Sequence, residues 1–124
     1  MTKLPIYRLV KTSAQVLDVL GGPDPRFYPF GQNDDAPLEY PYAVYRIIGG
    51  SPHNFVAHRP DVDEVLVQID VYGKTDSQAE AAVMALRDAL ELRCQIVSWR
   101  GSSRDPETLS YRQSFDVRWV QPRP

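Results

Sequence analysis

Two histidines and two aspartates lie close together in a polar segment near the middle of the chain. His53, His58, Asp61 and Asp63 fall within SPHNFVAHRPDVD, residues 51–63. Imidazole and carboxylate groups together are suitable ligands for a divalent metal. Their spacing matches no helical or hairpin ligand motif, and solvated loop histidines are the commoner outcome of such a pattern. A small metal-dependent enzyme is therefore the less favoured interpretation of this segment.

Motifs for nucleophilic catalysis and phosphate binding are weaker still. Gly49–Ser51 lacks the lysine and the following helix that a phosphate-binding loop needs, and no Gly-x-Ser-x-Gly elbow occurs. The single cysteine, Cys94, lies beside Ile96 and Val97 in an apolar run. We expect a buried structural thiol, in a protein from a reducing compartment. The sequence thus predicts neither an active site nor a cofactor.

Four charged residues occupy runs in which every second residue is apolar. Arg46, Asp70, Asp116 and Arg118 each take the non-core position of a predicted strand. They form either a charged cleft or cross-strand ion pairs, and we favour the ion pairs.

Length and composition limit the remaining classes of protein. With 124 residues, of which 43% are hydrophobic, the chain suits one core, so we predict a single domain over residues 1–124. A net charge of −2 argues against a nucleic-acid clamp, because phosphate binding calls for a basic surface. The start, MTKLPIYRLVK, lacks the apolar core of a signal peptide, and no run is long enough for a membrane span. We expect synthesis in the cytoplasm and no contact with a membrane.

The clearest structural pattern is EVLVQIDVYGKTDSQAEAAVMALRDALEL, residues 64–92. Apolar residues alternate from Val65 to Val71, which predicts a half-buried strand. After Gly73 the period becomes helical, and one face of the helix contains Ala79, Ala82, Val83, Leu86 and Leu90. Thr75, Asp76 and Ser77 are candidates for its N-cap, and Ser77 with Glu80 fits a capping box.

The other predicted elements complete an α+β domain. They are a helix over Pro5–Leu20, a short edge strand at Arg26–Phe30, and strands at Tyr42–Ile48, Cys94–Trp99 and Tyr111–Val120. Consecutive strands with only two helices favour a mostly antiparallel sheet of four to five strands, with two helices packed on one face. Residues 51–63 are too long for a tight hairpin, so we predict a protruding arm there.

Oligomerisation is the prediction that best explains the remaining anomalies. Opposite the core stripe of the second helix lie small or soft residues, and the two faces of the strand at Tyr42–Ile48 differ less than usual, so both could be covered. As subunit contacts we therefore expect Ala81, Met84, Ala85, Leu92 and Tyr45. A bland helix surface is the alternative. As arm residues that become ordered on assembly we expect His53, Phe55, Val56, His58, Asp61, Asp63 and Glu64.

Several segments in the same order resemble one known family. They are the opening helix, PYAVYR at 41–46 followed by GGSP, VQIDVYG at 67–73 running into an Ala-rich helix, and YRQSFDV at 111–117. Together they cover nearly the whole chain, and they resemble the tail-completion, or tail-terminator, proteins of long-tailed bacteriophages and related prophages.

The resemblance implies an α+β structural virion protein that forms a ring, typically hexameric, at the head-proximal end of the tail. Such a ring caps the tail tube, stops its polymerisation and presents a surface for head joining. The implied partners are further copies of the chain, the tail tube protein and the head-tail connector protein. The implied location is the virion tail, after synthesis in the host bacterial cytoplasm. A head-tail connector or neck protein is the alternative.

DNA must pass through such a ring without specific binding, so an acidic or neutral lumen is preferable to a basic one. Asp61, Asp63 and Glu64 are our candidates for charges that face the lumen or the tube.

Overall fold

The alternating run of apolar residues around Val65–Val71 forms the central strand of the fold. A computed structural model describes residues 4–31, 39–52 and 62–122. Within these ranges the elements are α1 (Ile6–Lys11), α2 (Ala14–Leu20), β1 (Phe27–Pro29), β2 (Tyr42–Pro52), β3 (Val62–Gly73), α3 (Asp76–Leu90), β4 (Gln95–Arg104) and β5 (Tyr111–Pro122).

The described strands form one sheet in the order β1-β2-β3-β5-β4. All neighbours are antiparallel except β1 and β2, which are parallel. The predicted α+β class with a mostly antiparallel sheet is confirmed, with five strands in the described residues. β1 lies at an edge of the sheet, as the proline in its sequence predicted.

One face of the sheet holds the core. Val67 pairs with Val117 and Ile69 with Phe115, and all four side chains are fully buried. The five residues predicted for the buried stripe of α3 are buried as well. A Cβ atom at Gly73 would lie 2.7 Å from the backbone nitrogen of Ala79, so this glycine permits the tight turn from β3 into α3.

The first predicted helix is two helices, so the described chain has three helices rather than two. The break falls at two hydroxyl residues that bond to nearby backbone groups. Thr12 Oγ1 donates to the carbonyl oxygen of Leu9 at 2.7 Å, and Ser13 Oγ accepts from the amide of Val16 at 3.2 Å. Such local bonds compete with a continuous helix. Both pieces still contribute buried apolar residues to the core.

The strand pairs β2–β3 and β4–β5 are longer than the alternation of apolar residues predicted. β2 continues to Pro52 and β3 begins at Val62, so the ends of the predicted arm belong to the sheet, and its residues 53–61 lie outside the described ranges. β4 continues to Arg104, past a bulge at Arg100 and Gly101. Gly101 has a φ of 83°, a left-handed conformation that glycine readily adopts. Polar, glycine-containing strands of this kind carry no alternating signal.

None of the helices in the described residues is long and apolar enough to cross a membrane.

Thr75, one of the three predicted candidates, is the N-cap residue of α3, and its Oγ1 accepts from the amide of Gln78 at 3.1 Å. The predicted capping box of Ser77 with Glu80 is wrong, because Ser77 lies inside the helix. The Gln78 side chain in turn accepts from the amide of Lys74 at 2.8 Å. The pair Thr75 and Gln78 thus resembles a capping box, except that Gln78 accepts from the residue before the cap instead of from the cap itself.

We expect Thr75→Ala to lower the free energy of unfolding by about 1 kcal/mol, because an amide in the first turn of α3 loses its acceptor. Ser77→Ala is the matched control, since Ser77 lies inside the helix and is exposed. Urea unfolding of both variants tests this assignment. Equal losses, or a larger loss for Ser77→Ala, would contradict it.

Candidate functional site

The two faces of the sheet differ in chemistry. The apolar residues of β3 and β5 share one buried cluster with the apolar residues of the three described helices. The opposite face, which we call the polar face, contains alternate residues of the same strands, including Gln68, Asp70 and Asp116. No described helix covers this face. Its side chains therefore have no helix packed on them, although neighbouring side chains leave Gln68 and Asp116 poorly exposed.

One end of the polar face is built around Asp116. Its carboxylate accepts two hydrogen bonds from Arg100, from Nε at 2.9 Å and from Nη2 at 3.0 Å, and a third from Ser98 Oγ at 3.0 Å. The Asp116 residue is only 7% exposed. The carboxylate raises the pKa of the Arg100 guanidinium above its usual value, mainly through this hydrogen bond. Both carboxylate oxygens of Asp116 are thus occupied by hydrogen bonds from residues of β4.

A second chain of hydrogen bonds crosses the middle of the polar face. Asp70 Oδ1 accepts from Gln68 Nε2 at 2.9 Å and from Ser114 Oγ at 2.5 Å. Gln68 Oε1 accepts from Arg46 Nη2 at 3.3 Å. No buried side-chain nitrogen or oxygen in the described ranges lacks a hydrogen-bond partner. The polar face is therefore an internally satisfied surface.

Of the four charged residues predicted to form cross-strand ion pairs, Asp116 and Arg118 do so, with partners that the sequence did not specify. Arg118 pairs with Glu64 at 2.7 Å, and Asp116 pairs with Arg100. Arg46 contacts Asp70 only through Gln68. The alternation located these residues on one face, but the pairing depends on the strand register, which the sequence does not reveal.

A cluster of tyrosines lies on the polar face where β2 begins. The Tyr42 ring stacks on Tyr72 at 4.9 Å between centroids and lies 5.5 Å from Tyr40. Burial raises the pKa of Tyr42 to about 12, so its phenol stays protonated at neutral pH. The cluster provides an aromatic contact surface and no general base.

The arm candidates are only partly placed. His53, Phe55, Val56, His58 and Asp61 lie outside the described residues. Asp63 and Glu64 belong to β3, opposite Gln121 and Val120 of β5. The Glu64 carboxylate faces the Arg118 guanidinium, so their charges largely offset each other. Within the described ranges no group of three or more potential ligands could hold a metal ion.

The contact candidates on α3 separate into exposed and buried residues. Ala81 is exposed, Met84 is 56% exposed, and Leu92 is 82% exposed in the turn after the helix. Ala85 has no exposed surface, so its predicted outward orientation is wrong. The reason is that α1 and α2 also pack against α3, which buries a wider arc than a sheet alone would bury. Tyr45 is half-buried and stacks on Phe27 at 4.7 Å, as part of the packing around the core.

The exposed side of α3 is also more polar than predicted. Glu80 and Asp88 lie one turn before and one turn after Met84, and both are exposed. A single methionine among charges is typical of a solvated helix surface. Subunit contacts through Ala81, Met84 and Leu92 stay a prediction.

Exposed apolar residues occur at both edges of the sheet, where the sequence interpretation did not place them. Phe30 and Ile48 lie at the β1 and β2 edge and are 68% and 38% exposed. Trp99 and Val97 lie on β4 and are 52% and 38% exposed. Locating them would require knowing that β4 is an edge strand. β4 lies at the edge because β5 inserts between it and β3, and this strand order is not visible in the sequence pattern.

Cys94 is a structural residue, as predicted. It is buried, and its Sγ lies 3.1 Å from the carbonyl oxygen of Leu90, to which the thiol donates. Burial is the main reason that its pKa rises to about 11.

These features define a class of protein: a small α+β domain in which helices cover one face of the sheet and the polar groups of the other face hydrogen-bond to one another. The family model described as "Tail completion protein gp17" matches residues 5–121, so the chain belongs to this family. The resemblance stated from the sequence is confirmed. The protein is accordingly a structural protein of the virion tail, with a role in tail completion.

Two solved structures are similar to the chain in fold. A chain of the virion of a native gene transfer agent particle has a TM-score of 0.66 at 16% identity, with 95% of this chain and 92% of that chain covered. The gp17 protein of bacteriophage SPP1 has a TM-score of 0.57 at 13% identity, with 93% and 84% covered. A search of curated protein sequences gave no significant match.

We expect Ala85→Glu to destabilise the fold by more than about 3 kcal/mol, because it forces a carboxylate into a packed core. Ala81→Glu, on the exposed side of the same helix, should change stability by no more than about 0.5 kcal/mol. Chemical unfolding of both variants provides the comparison. A stable, folded Ala85→Glu protein would show that Ala85 faces solvent.

We expect the Cys94 thiol to react with a disulfide reagent at pH 8 about a hundredfold more slowly than an ordinary thiol, because two pKa units reduce the thiolate fraction by that factor and burial adds to the effect. The Ala81→Cys variant supplies an exposed reference thiol in the same protein. Two equally fast thiols in that variant would disprove the burial of Cys94.

Proposed function

We propose that this protein is a ring-forming tail terminator. It caps the head-proximal end of the tail tube, stops tube polymerisation and provides the surface to which the head joins. The observation that carries the proposal is the match of the tail completion family over residues 5–121. The partners are further copies of the chain, the tail tube protein and the head-tail connector protein.

The likeness to a chain of an assembled particle supports this role. The chain with a TM-score of 0.66 belongs to the virion of a gene transfer agent, and almost the whole of both chains is covered. A fold that is embedded in a particle must present several protein-binding surfaces at once. The two different edges of the present sheet and its polar face are three such surfaces.

The charge distribution suits a ring through which DNA moves. The net charge is −2, and the main charges of the polar face are compensated by the pairs Arg100–Asp116 and Arg118–Glu64. Compensated charges attract phosphates weakly, because a paired guanidinium contributes little net potential at a distance. We propose that DNA passes through the lumen without specific binding, and that Asp63 and Glu64 contact the lumen or the tube.

The number of subunits is proposed from the resemblance to be six. A closed ring caps a tube by steric and surface complementarity, so this function needs no catalytic step.

Tail assembly in cells that lack this protein tests the function. We expect tail tubes without attached heads, and we expect the purified protein to bind the head-proximal ends of those tubes and restore joining to filled heads. Electron microscopy identifies the bound end and the number of subunits. Binding to filled heads without tails, and not to tubes without heads, would contradict the proposal and favour a connector protein.

Including the folded Ala81→Glu variant in this assay addresses the outer side of α3. Weaker binding would support a contact at Ala81 and Met84, and unchanged binding would assign that side to solvent.

A further inference from the structure

We propose that neighbouring subunits join edge to edge, with the outer edge of β4 in one copy paired to the outer edge of β2 in the next. The sheets of successive copies then form one continuous sheet around the ring. This inference rests on the proposed ring and specifies which surfaces close it.

Both edges present backbone groups that have no partner strand within the described ranges. β4 is a ten-residue strand, and it pairs with β5 on one side. β2 has eleven residues, but β1 pairs only with Ala43–Tyr45, so Arg46–Pro52 has an outer edge without a described partner strand. Unpaired N–H and C=O groups along a strand are a template for another strand.

Both edges are irregular next to the same row of the sheet. Ile47, Val67, Val117 and Ile96 form one continuous row across β2, β3, β5 and β4. Ile48 is an extra residue in β2 on the Leu66 side of this row, and Val97 is an extra residue in β4 on the Gln68 side, because the two strands run in opposite directions. A bulge hinders pairing with an arbitrary strand, whereas two bulges that flank the same row can fit each other in one particular pairing.

The residues at these bulges favour a dry contact. Ile48 and Val97 are both branched aliphatic residues, and each is 38% exposed. Protected edges usually carry lysine or proline; QIVSWRGSSR, the sequence of β4, contains neither, and the free part of β2 contains only Pro52, at its end. The Arg100 side chain does not guard the edge, because it is bound to Asp116 on the polar face.

Strand direction is consistent with a ring. β3 is antiparallel to β2, β5 to β3 and β4 to β5, so β4 runs opposite to β2. Rotation about an axis roughly parallel to the strands preserves these directions. It therefore places β4 of one copy antiparallel to β2 of the next, with all helices on the same side of the joined sheet. The contact is heterologous, as ring closure requires.

The size of the contact indicates why closure matters. The free part of β2, Arg46–Pro52, has seven residues, which at ~3.3 Å each give a contact roughly 23 Å long. A contact of this length and one strand wide covers less area than the roughly 800 Å² per partner of a standard interface. In a closed ring every subunit is held on two sides, and the second contact forms at a high effective concentration. Pairing of β4 with β4 would instead end at a dimer.

Cysteine cross-linking on tail tubes tests the pairing. The double variant Ile48→Cys/Val97→Cys keeps the buried Cys94, and it is treated with a flexible bis-maleimide after binding to tubes. We expect a ladder of covalent oligomers that extends to the complete ring. Ile48→Cys alone and Val97→Cys alone should give monomers, and Ile48→Cys/Met84→Cys, with the second cysteine on the exposed side of α3, is the matched control.

The outcomes separate the contact from the function. Rings visible on tubes without a ladder in the double variant would overturn the edge pairing and leave the tail-terminator function standing. Dimers from Val97→Cys alone, or an equal ladder from the control, would also overturn the pairing. If no rings are seen on tubes and no ladder forms, both proposals are overturned.

Discussion

The structure depends on one constraint: a single sheet has two faces, and the described helices cover only one of them. Apolar residues of β3 and β5 pack against α3 on the covered side. On the other side the same strands must satisfy polar groups without help from a second layer. The bonds of Asp116 to Arg100 and of Asp70 to Ser114 do this. An unpaired carboxylate at such a poorly exposed position would cost several kcal/mol.

That arrangement also explains why this fold suits assembly better than catalysis. The charged groups of the polar face are occupied with one another, so they stabilise a surface instead of acting on a substrate. The sheet remains open at two different edges, and two different patches are what a ring needs. Membership of the tail completion family is consistent with a protein whose function lies in its surfaces.

The sequence predicted those parts of the fold whose local pattern agrees with their tertiary environment. Apolar residues recur every second position in β3 and with a helical period in α3, because each element buries mainly one side. The break at Thr12 and Ser13 was missed because the apolar stripe continues through it, and the orientation of Ala85 was wrong because α2 also packs on α3. The edge position of β4 depends on strand order, which periodicity does not encode. The sequence predicted which face of the sheet the charged residues occupy, but it did not predict their partners, because these depend on the strand register.

A reconstruction of the tail end by electron cryo-microscopy tests most directly whether a one-layer sheet with two open edges closes the ring. We predict strand pairing across every subunit boundary, between β4 and β2, with the helices on one side of a continuous sheet. A ring in which both edges face solvent, and subunits meet through the exposed side of α3, would contradict it.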